Sequence, residues 1–404
     1  MPQSSGKRIA VLAHLKFPIA EPFRGGLEMH THLLCEQLLQ RGHRVTLFAR
    51  AESDARFTVI EPELEAVTPG LGIDLFEEEP GFNGHFVNRL HAYQQVMAEV
   101  RAGGFDLVHN NTLHFLPLSL ADTAGCPVVT VLHTPPFPSL QSAAMLARRH
   151  DNHRFISVSR SLGRQWEPFI GDDYAVVHNG LPDRWAFTET APPNTAVWCG
   201  RICREKAPHL AIAAARRAGF ALTLAGDVYD RDYFDRDILP QLGGDIRYAG
   251  LLNHRELGAV IGRSAVGLFT SVWDEPFGLV LPEMMACGTP VAGFASGAAD
   301  EIVDARSGVL VDKGDVAALA DALPRAAALR RTDCRRRARR DFGVAKMVDG
   351  YEHQYRRMLE HRDRRAPVVR TLRPGRTAVV TAAPAGAAAV VVPVPASRTA
   401  AGVA

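Results

Sequence analysis

Short apolar runs alternate with longer amphipathic stretches along this chain, and the alternation happens twice. "RIAVLAH" (8–14), "RVTLFA" (44–49), "DLVHN" (106–110), "PVVTVLH" (127–133), "RFISVS" (154–159) and "YAVVHN" (174–179) are strand-length runs with few polar breaks. Between the first two, "GGLEMHTHLLCEQLLQRGH" sets Leu27, Leu33, Leu34, Leu38 and Leu39 on one helical stripe and stops at Gly42. Residues 84–104 read as a second such helix. Continuous apolar strands joined by amphipathic helices imply a parallel sheet covered on both faces.

The pattern then restarts. Strands are expected over 195–201, 221–227, 245–250, 266–271, 289–294 and 307–312, with helices around 206–218, 254–263, 280–287 and 315–330. The join, "LPDRWAFTETAPPNTA" (181–196), is proline-rich. A single core stops growing at about 250–300 residues, and this chain has 404. The expectation is therefore an α/β protein of two doubly wound domains, residues 1–180 and 181–345, facing each other across a cleft. A last helix follows over 346–362, and the Ala/Val/Pro-rich segment 367–404 reads as a disordered tail.

Composition removes several classes. A net charge of +2 gives no bulk argument for nucleic acid. Six cysteines are scattered without a C-x-x-C pair, which argues against a zinc site and fits reduced, buried thiols in a cytoplasmic protein. The N-terminal apolar run is short and reads as a first strand rather than a signal peptide. Apolar stretches fall short of the roughly 18–20 residues a membrane helix needs, which leaves only a peripheral membrane contact open. The arginine-rich "RRTDCRRRARR" (330–340) reads as a solvated helix face, because no aromatics are interleaved to stack bases. Asp230-Arg-Asp232 and Asp235-Arg-Asp237 match D-x-D, but their hydrophilic context favours solvated surface over a metal clamp. His30 and His32 stand two apart on a helix and form no metal pair.

"WDEPFGLVLPEMMACGTPVAGF" (273–294) is the densest stretch. A helix beginning near Leu279 offers free amides and a positive dipole end, and Gly278 lets a ligand approach the backbone. That suits a phosphate. Glu275 stands just before this point and Glu283 one turn inside it. Two carboxylates there would repel a phosphate unless they face something else, and vicinal sugar hydroxyls are natural partners. The plainer alternative is that both merely complement the helix start. Arg201 and Lys206 follow a strand and precede a helix, so they either hold a pyrophosphate or are ordinary surface cations. Gly25-Gly26 opens the first helix, as a weak anion site or a tight turn. Neither G-x-G-x-x-G nor G-x-x-x-x-G-K-[ST] occurs. His133 ends a strand, either as a structural residue or within reach of the cleft.

Taken together these residues resemble glycosyltransferase family 4, of the GT-B fold with its two Rossmann-like domains, over about residues 8–360. "EPFGLVLPEMMACGTPVAG" is similar to that family's hallmark and "GRICREKAPHLAI" to its donor-phosphate segment. "VSRSLGRQW" and "VVHNGLPDRWAF" resemble the stretch closing the first domain, and residues 207–242 are similar to an avilamycin-biosynthesis subgroup. The resemblance implies retaining, metal-independent transfer of a hexose from a nucleoside-diphosphate sugar, UDP- or GDP-linked, with no cofactor. It assigns Glu275 to donor-sugar hydroxyls, Glu283 to the ribose, and Arg201 and Lys206 to the pyrophosphate. The backbone at Gly278, Leu279 and Val280 would cap the distal phosphate with Gly26 opposite. His133 would meet the sugar near the reacting carbon, and Leu251 would lie by the nucleobase. The last helix would cross back onto the first domain. Two departures stand out: Ala207-Pro208 where a glycine is common, and "ASGAADEI", in which Glu301 keeps an acidic place. An epimerase or phosphorylase on the same fold, or a non-catalytic nucleotide-sugar-binding protein, are the rival expectations. The acceptor, a sugar, lipid or other small molecule, would be chosen by first-domain loops such as 51–85, which carry no readable code.

Overall fold

A computed structural model describes residues 6–62 and 84–365; the tail expected to be disordered and most of the acidic 51–85 loop lie outside the described residues. The first sheet comprises β1 (Arg8–Leu12), β2 (Arg44–Phe48), β3 (Thr58–Ile60), β4 (Leu107–Asn110), β5 (Val128–Leu132), β6 (His153–Ser157) and β7 (Ala175–Val176). Their order is β3-β2-β1-β4-β5-β6-β7. The second comprises β8 (Thr195–Cys199), β9 (Ala221–Ala225), β10 (Ile246–Tyr248), β11 (Val266–Phe269), β12 (Val291–Phe294) and β13 (Gly308–Val311), ordered β10-β9-β8-β11-β12-β13. Pairings are parallel throughout, as in Ile9↔Val45 and Val266↔Ala196. The continuous apolar strands demanded this, since β4 and β5 are buried at every position.

Both sheets reverse direction beside their first strand, between β1 and β4 and between β8 and β11. A crevice opens at the carboxyl ends where the order reverses. In the first sheet those ends lead to Gly25-Gly26, Asn111 and His133; in the second they lead to Arg201 and to the 270–280 loop. Topology therefore brings to one place residues that are far apart in sequence.

Three features differ from the sequence expectations. β3 and the helices Phe115–Ser119, Pro138–Ala147 and Arg160–Ile170 are additional elements that the strand-and-helix pattern read from sequence did not include. The expected strand over 174–179 shrinks to β7, because the chain leaves the sheet at once for the interdomain connection. The arginine-rich run is no simple solvated face. It forms the helix Arg331–Phe342, whose Cys334, Ala338 and Phe342 are buried. Helical spacing puts Arg331 and Arg335 on that inward stripe as well. Arg331 donates to the carbonyls of Thr188, Gly262 and Ser264, and Arg335 to those of Trp185 and Ala286. Arg337 donates to the carbonyls of Ile302 and Glu301. A guanidinium has five donors, so it can satisfy several buried carbonyls at once.

The C-terminal helix spans Val344–Arg365 and packs on the first sheet's helix Gly26–Gln40. Its Met347, Val348, Tyr351, Tyr355 and Met358 are buried in a core that also contains Trp166 of the first half and Phe277 and Met284 of the second. Arg41 bonds Asp349 at 2.6 Å and Glu352 at 2.8 Å, and His43 lies 2.9 Å from Glu352. The last described helix thus anchors on the domain of the first sheet.

Candidate active site

A cleft of about 470 Å³ lies at the two reversal points. Gly26, His133, Arg201, Lys206, Glu275, Gly278, Leu279 and Val280 all line it. Glu283 and Leu251 do not. Leu251, 75% exposed, lines a second cavity of about 1000 Å³ together with Phe23, Arg184, Trp185 and His254.

Gly278 makes the turn into the helix Val280–Ala286 with φ +86°, a left-handed backbone that a side chain would strain. A Cβ at Gly26 would sit 2.7 Å from the side-chain tip Leu279 Cδ1, so the two halves meet across the cleft at these residues. The anion site expected at Gly25-Gly26 has a resident carboxylate nearby. Glu28 is buried in the helix's first turn and lies 2.9 Å from His14. Burial pushes its carboxyl up, but His14 and the amides of Glu28 and Gly25 outweigh this and hold it below the ordinary range.

Lys206 and Glu275 are in direct contact as an ion pair. Ser271 Oγ donates to Glu275 Oε1 at 2.9 Å, and Lys206 Nζ stands 5.6 Å from the centroid of the Trp273 ring. Glu275 is buried and Lys206 only partly exposed, so little water screens the pair. Arg201 is looser. Its side chain is 48% exposed, lies over Tyr229 at 4.8 Å and reaches Glu205 only at 3.9 Å. The glutamate and the lysine, each assigned separately from sequence, thus hold one another, with a second cation at the rim resting on Tyr229 and Glu205.

Glu283 has no side-chain partner among the described residues; burial pushes its carboxyl up to about 7, against the pull of Arg184. His133 lies 3.0 Å from Asn111 Oδ1, and burial, with His30 and His109 beside it, holds its imidazole well below the ordinary value. Sequence reasoning did not single out Ser271, Trp273 or Asn111, because their contacts to Glu275, Lys206 and His133 arise only on folding. It also missed Thr134 and Asn179, which line the cleft with Oγ1 and Oδ1 buried and unbonded. The D-x-D aspartates have other work: Asp230 caps a helical turn through the Tyr233 amide, and Asp235 pairs with Arg231. Among the described residues, no group of three or more His, Cys, Asp or Glu side chains could hold a metal ion. No described helix is long and apolar enough to cross a membrane.

Comparisons with known proteins bear on the family and the fold. The family model "Glycosyltransferase Family 4" matches residues 24–184, and "Glycosyl transferases group 1" matches residues 182–341. A glycogen synthase of Mycobacterium tuberculosis is 28% identical over 365 residues, covering 79% of this chain and 87% of that protein. A D-inositol 3-phosphate glycosyltransferase of Mycolicibacterium smegmatis is 26% identical, covering 92% and 95%. Among solved structures, a glycosyltransferase involved in avilamycin A biosynthesis superposes with a TM-score of 0.64 at 23% identity, over 88% of this chain and 98% of that one. Anabaena HepE in complex with UDP-glucose gives 0.65 at 19% identity, over 88% and 99%. At such identities these two likenesses are of fold. The chain belongs to glycosyltransferase family 4 and is a glycosyltransferase with the GT-B architecture.

Proposed function

We propose that the protein transfers a hexose, with retention and without a metal, from a nucleoside-diphosphate sugar to an acceptor hydroxyl. The observation that carries this is the Lys206–Glu275 pair, with Arg201 beside it, at the crevice between the sheets. The second domain, residues 181–345, binds the donor; the first, residues 1–180, binds the acceptor. Arg201 and Lys206 hold the diphosphate. Gly278, Leu279 and Val280 approach its distal phosphate, and Gly26 faces them. Glu275 accepts from the sugar's hydroxyls, Glu283 from the ribose, and His133 meets the sugar near its reacting carbon. Leu251 lies toward the base. The HepE complex with UDP-glucose supports a uridine donor.

The carbon–oxygen bond to the distal phosphate breaks, and its electron pair leaves with the diphosphate. Fixed cations stabilise that charge in a site sheltered from water. The acceptor hydroxyl bonds to the same face of the sugar and gives its proton to the departing phosphate oxygen. Neither rival expectation draws support from the relatives.

The test is turnover of UDP- and GDP-hexoses, with transfer to acceptors and hydrolysis both followed. Removing a preorganised charge costs on the order of 10²–10³ in rate. Arg201→Ala and Glu275→Ala should each lose that much while remaining folded. Wild-type turnover by either variant would refute the assignment, and epimerised sugar or phosphate-dependent cleavage from donor alone would favour a rival.

A further inference from the structure

His133 is one end of a buried hydrogen-bonded chain that reaches the C-terminal helix. Its Nε2 is 3.0 Å from Asn111 Oδ1, and the same oxygen is 3.1 Å from His109 Nε2. Asn111 is sealed from solvent, and its other end is committed, with Nδ2 donating to Thr31 Oγ1 at 3.3 Å. In this arrangement Oδ1, not Nδ2, is the end of the amide that faces the two imidazoles. An amide oxygen only accepts, so each facing ring nitrogen must carry a proton. His109, protonated at Nε2, then accepts at Nδ1, where the Tyr355 hydroxyl donates over 2.6 Å.

His133 is neutral, for burial and its imidazole neighbours His30 and His109 all disfavour a charge. His30 is itself held down to about 4 and His109 to about 3, so neither supplies a competing positive charge at neutral pH. A neutral ring has one N–H. With that proton at Nε2, Nδ1 keeps its lone pair. Nδ1 takes no hydrogen bond among the described residues and is not among their sealed, unbonded polar atoms, while His133 lines the cleft. The following loop is pinned as well, since Trp166 Nε1 donates to the Thr134 carbonyl at 2.8 Å.

We propose that Asn111 is a positioning residue that fixes His133 as its Nε2–H tautomer and so presents an acceptor nitrogen, Nδ1, to the cleft. An acceptor nitrogen attracts a hydroxyl or an N–H and repels a carboxylate or phosphate oxygen. The group that meets His133 therefore brings its own proton. Its being a donor-sugar hydroxyl rests on the function proposed above; the tautomer does not.

The experiment is a long-range ¹H–¹⁵N correlation spectrum of the free, full-length protein labelled at histidine nitrogens, with His133→Gln to assign the ring. The expected wild-type signature is a protonated Nε2 and a bare Nδ1. A proton at Nδ1 would overturn the proposal. Asn111→Leu removes the acceptor at similar volume; His133 should lose its single-tautomer signature, and donor hydrolysis should fall tenfold or more. Asn111→Asp keeps an acceptor oxygen and should keep Nε2 protonated. An unchanged His133 spectrum in folded Asn111→Leu would overturn the assignment. Should that variant not fold, the wild-type and Asn111→Asp spectra still decide. The expected tautomer in a protein that binds no nucleotide would uphold Asn111's role and sink only the donor reading.

Discussion

Glu301 is a buried acid in a segment that departs from the family pattern, and its work is to join the two halves. Its Oε1 accepts from the Ser161 amide at 2.7 Å; its Oε2 accepts from the Arg160 amide at 2.9 Å and lies 3.0 Å from His178 Nε2. A second-domain carboxylate therefore caps the first-domain helix Arg160–Ile170. Beside it Ser159 Oγ accepts from the Leu162 amide and donates to the Pro276 carbonyl at 2.6 Å. Hydrogen bonds to a charged acceptor contribute about 1.5–3 kcal/mol when shielded. Only the Ser161 bond qualifies fully, because the Arg160 bond is exposed and the His178 side chain is 25% exposed. Glu301→Ala should then cost about 2–3 kcal/mol locally. Glu301→Gln should cost about 1–2 kcal/mol, since it keeps one oxygen but turns an N–H₂ toward Arg160 and His178. Hydrogen exchange of the peptide covering 159–166 reads this directly. A loss near 3 kcal/mol corresponds to exchange about a hundredfold faster. Burial pushes the Glu301 carboxyl up, but His178 and the two amides outweigh it, so its folded pKa lies below the usual value. A depressed carboxylate contributes stability above its unfolded pKa, about 4.3, and that contribution disappears as pH falls through the folded value. Wild type and Glu301→Gln should accordingly differ at pH 7 and converge in acid. Exchange in Glu301→Ala within threefold of wild type at pH 7 would refute the clasp.

The remaining predictions concern other charges. Glu283, held at about 7, should be mostly neutral below that pH and ionised above it, so nucleotide affinity should rise with pH through 7. Calorimetry on Glu283→Gln should show a flat profile; a retained rise would remove Glu283 from the nucleotide site. Arg331→Met should leave the carbonyls of Thr188, Gly262 and Ser264 buried without a donor, and lower stability by about 3 kcal/mol or more. Arg336→Ala, whose side chain is 67% exposed, should stay within about 0.5 kcal/mol of wild type. Equal melting of the two variants would restore the solvated-face expectation for the whole arginine run.

What the sequence made legible was what repeats or concentrates. Strand and helix periods alternate over hundreds of residues, so two parallel sheets follow from burial alone. The 273–294 segment packs a turn glycine, a helix start and two acids into a short span, so it declared itself a site. Position in a helix was harder. Composition alone could not show that Arg331, Arg335 and Arg337 turn inward, because the decisive partners are backbone carbonyls at 188, 262, 264, 286 and 302, invisible as residue types. Pairings at long range were harder still. Sequence spacing gives Glu275 and Lys206 separate duties, whereas folding brings them together across 69 positions.

That contact bears on how the cleft can hold buried charges. A buried Glu275 without a cation, or a Lys206 without an anion, would carry a desolvation cost of several kcal/mol. Paired, they leave the crevice floor nearly neutral, while Arg201 at the rim stays half-hydrated over Tyr229. The same logic covers Asn111 and Glu301, each of which holds a cleft residue or its neighbouring loop from behind. Residues that touch a ligand leave a motif in the sequence. Residues that hold them in place are chosen by the fold's geometry, and that geometry had to be seen in three dimensions.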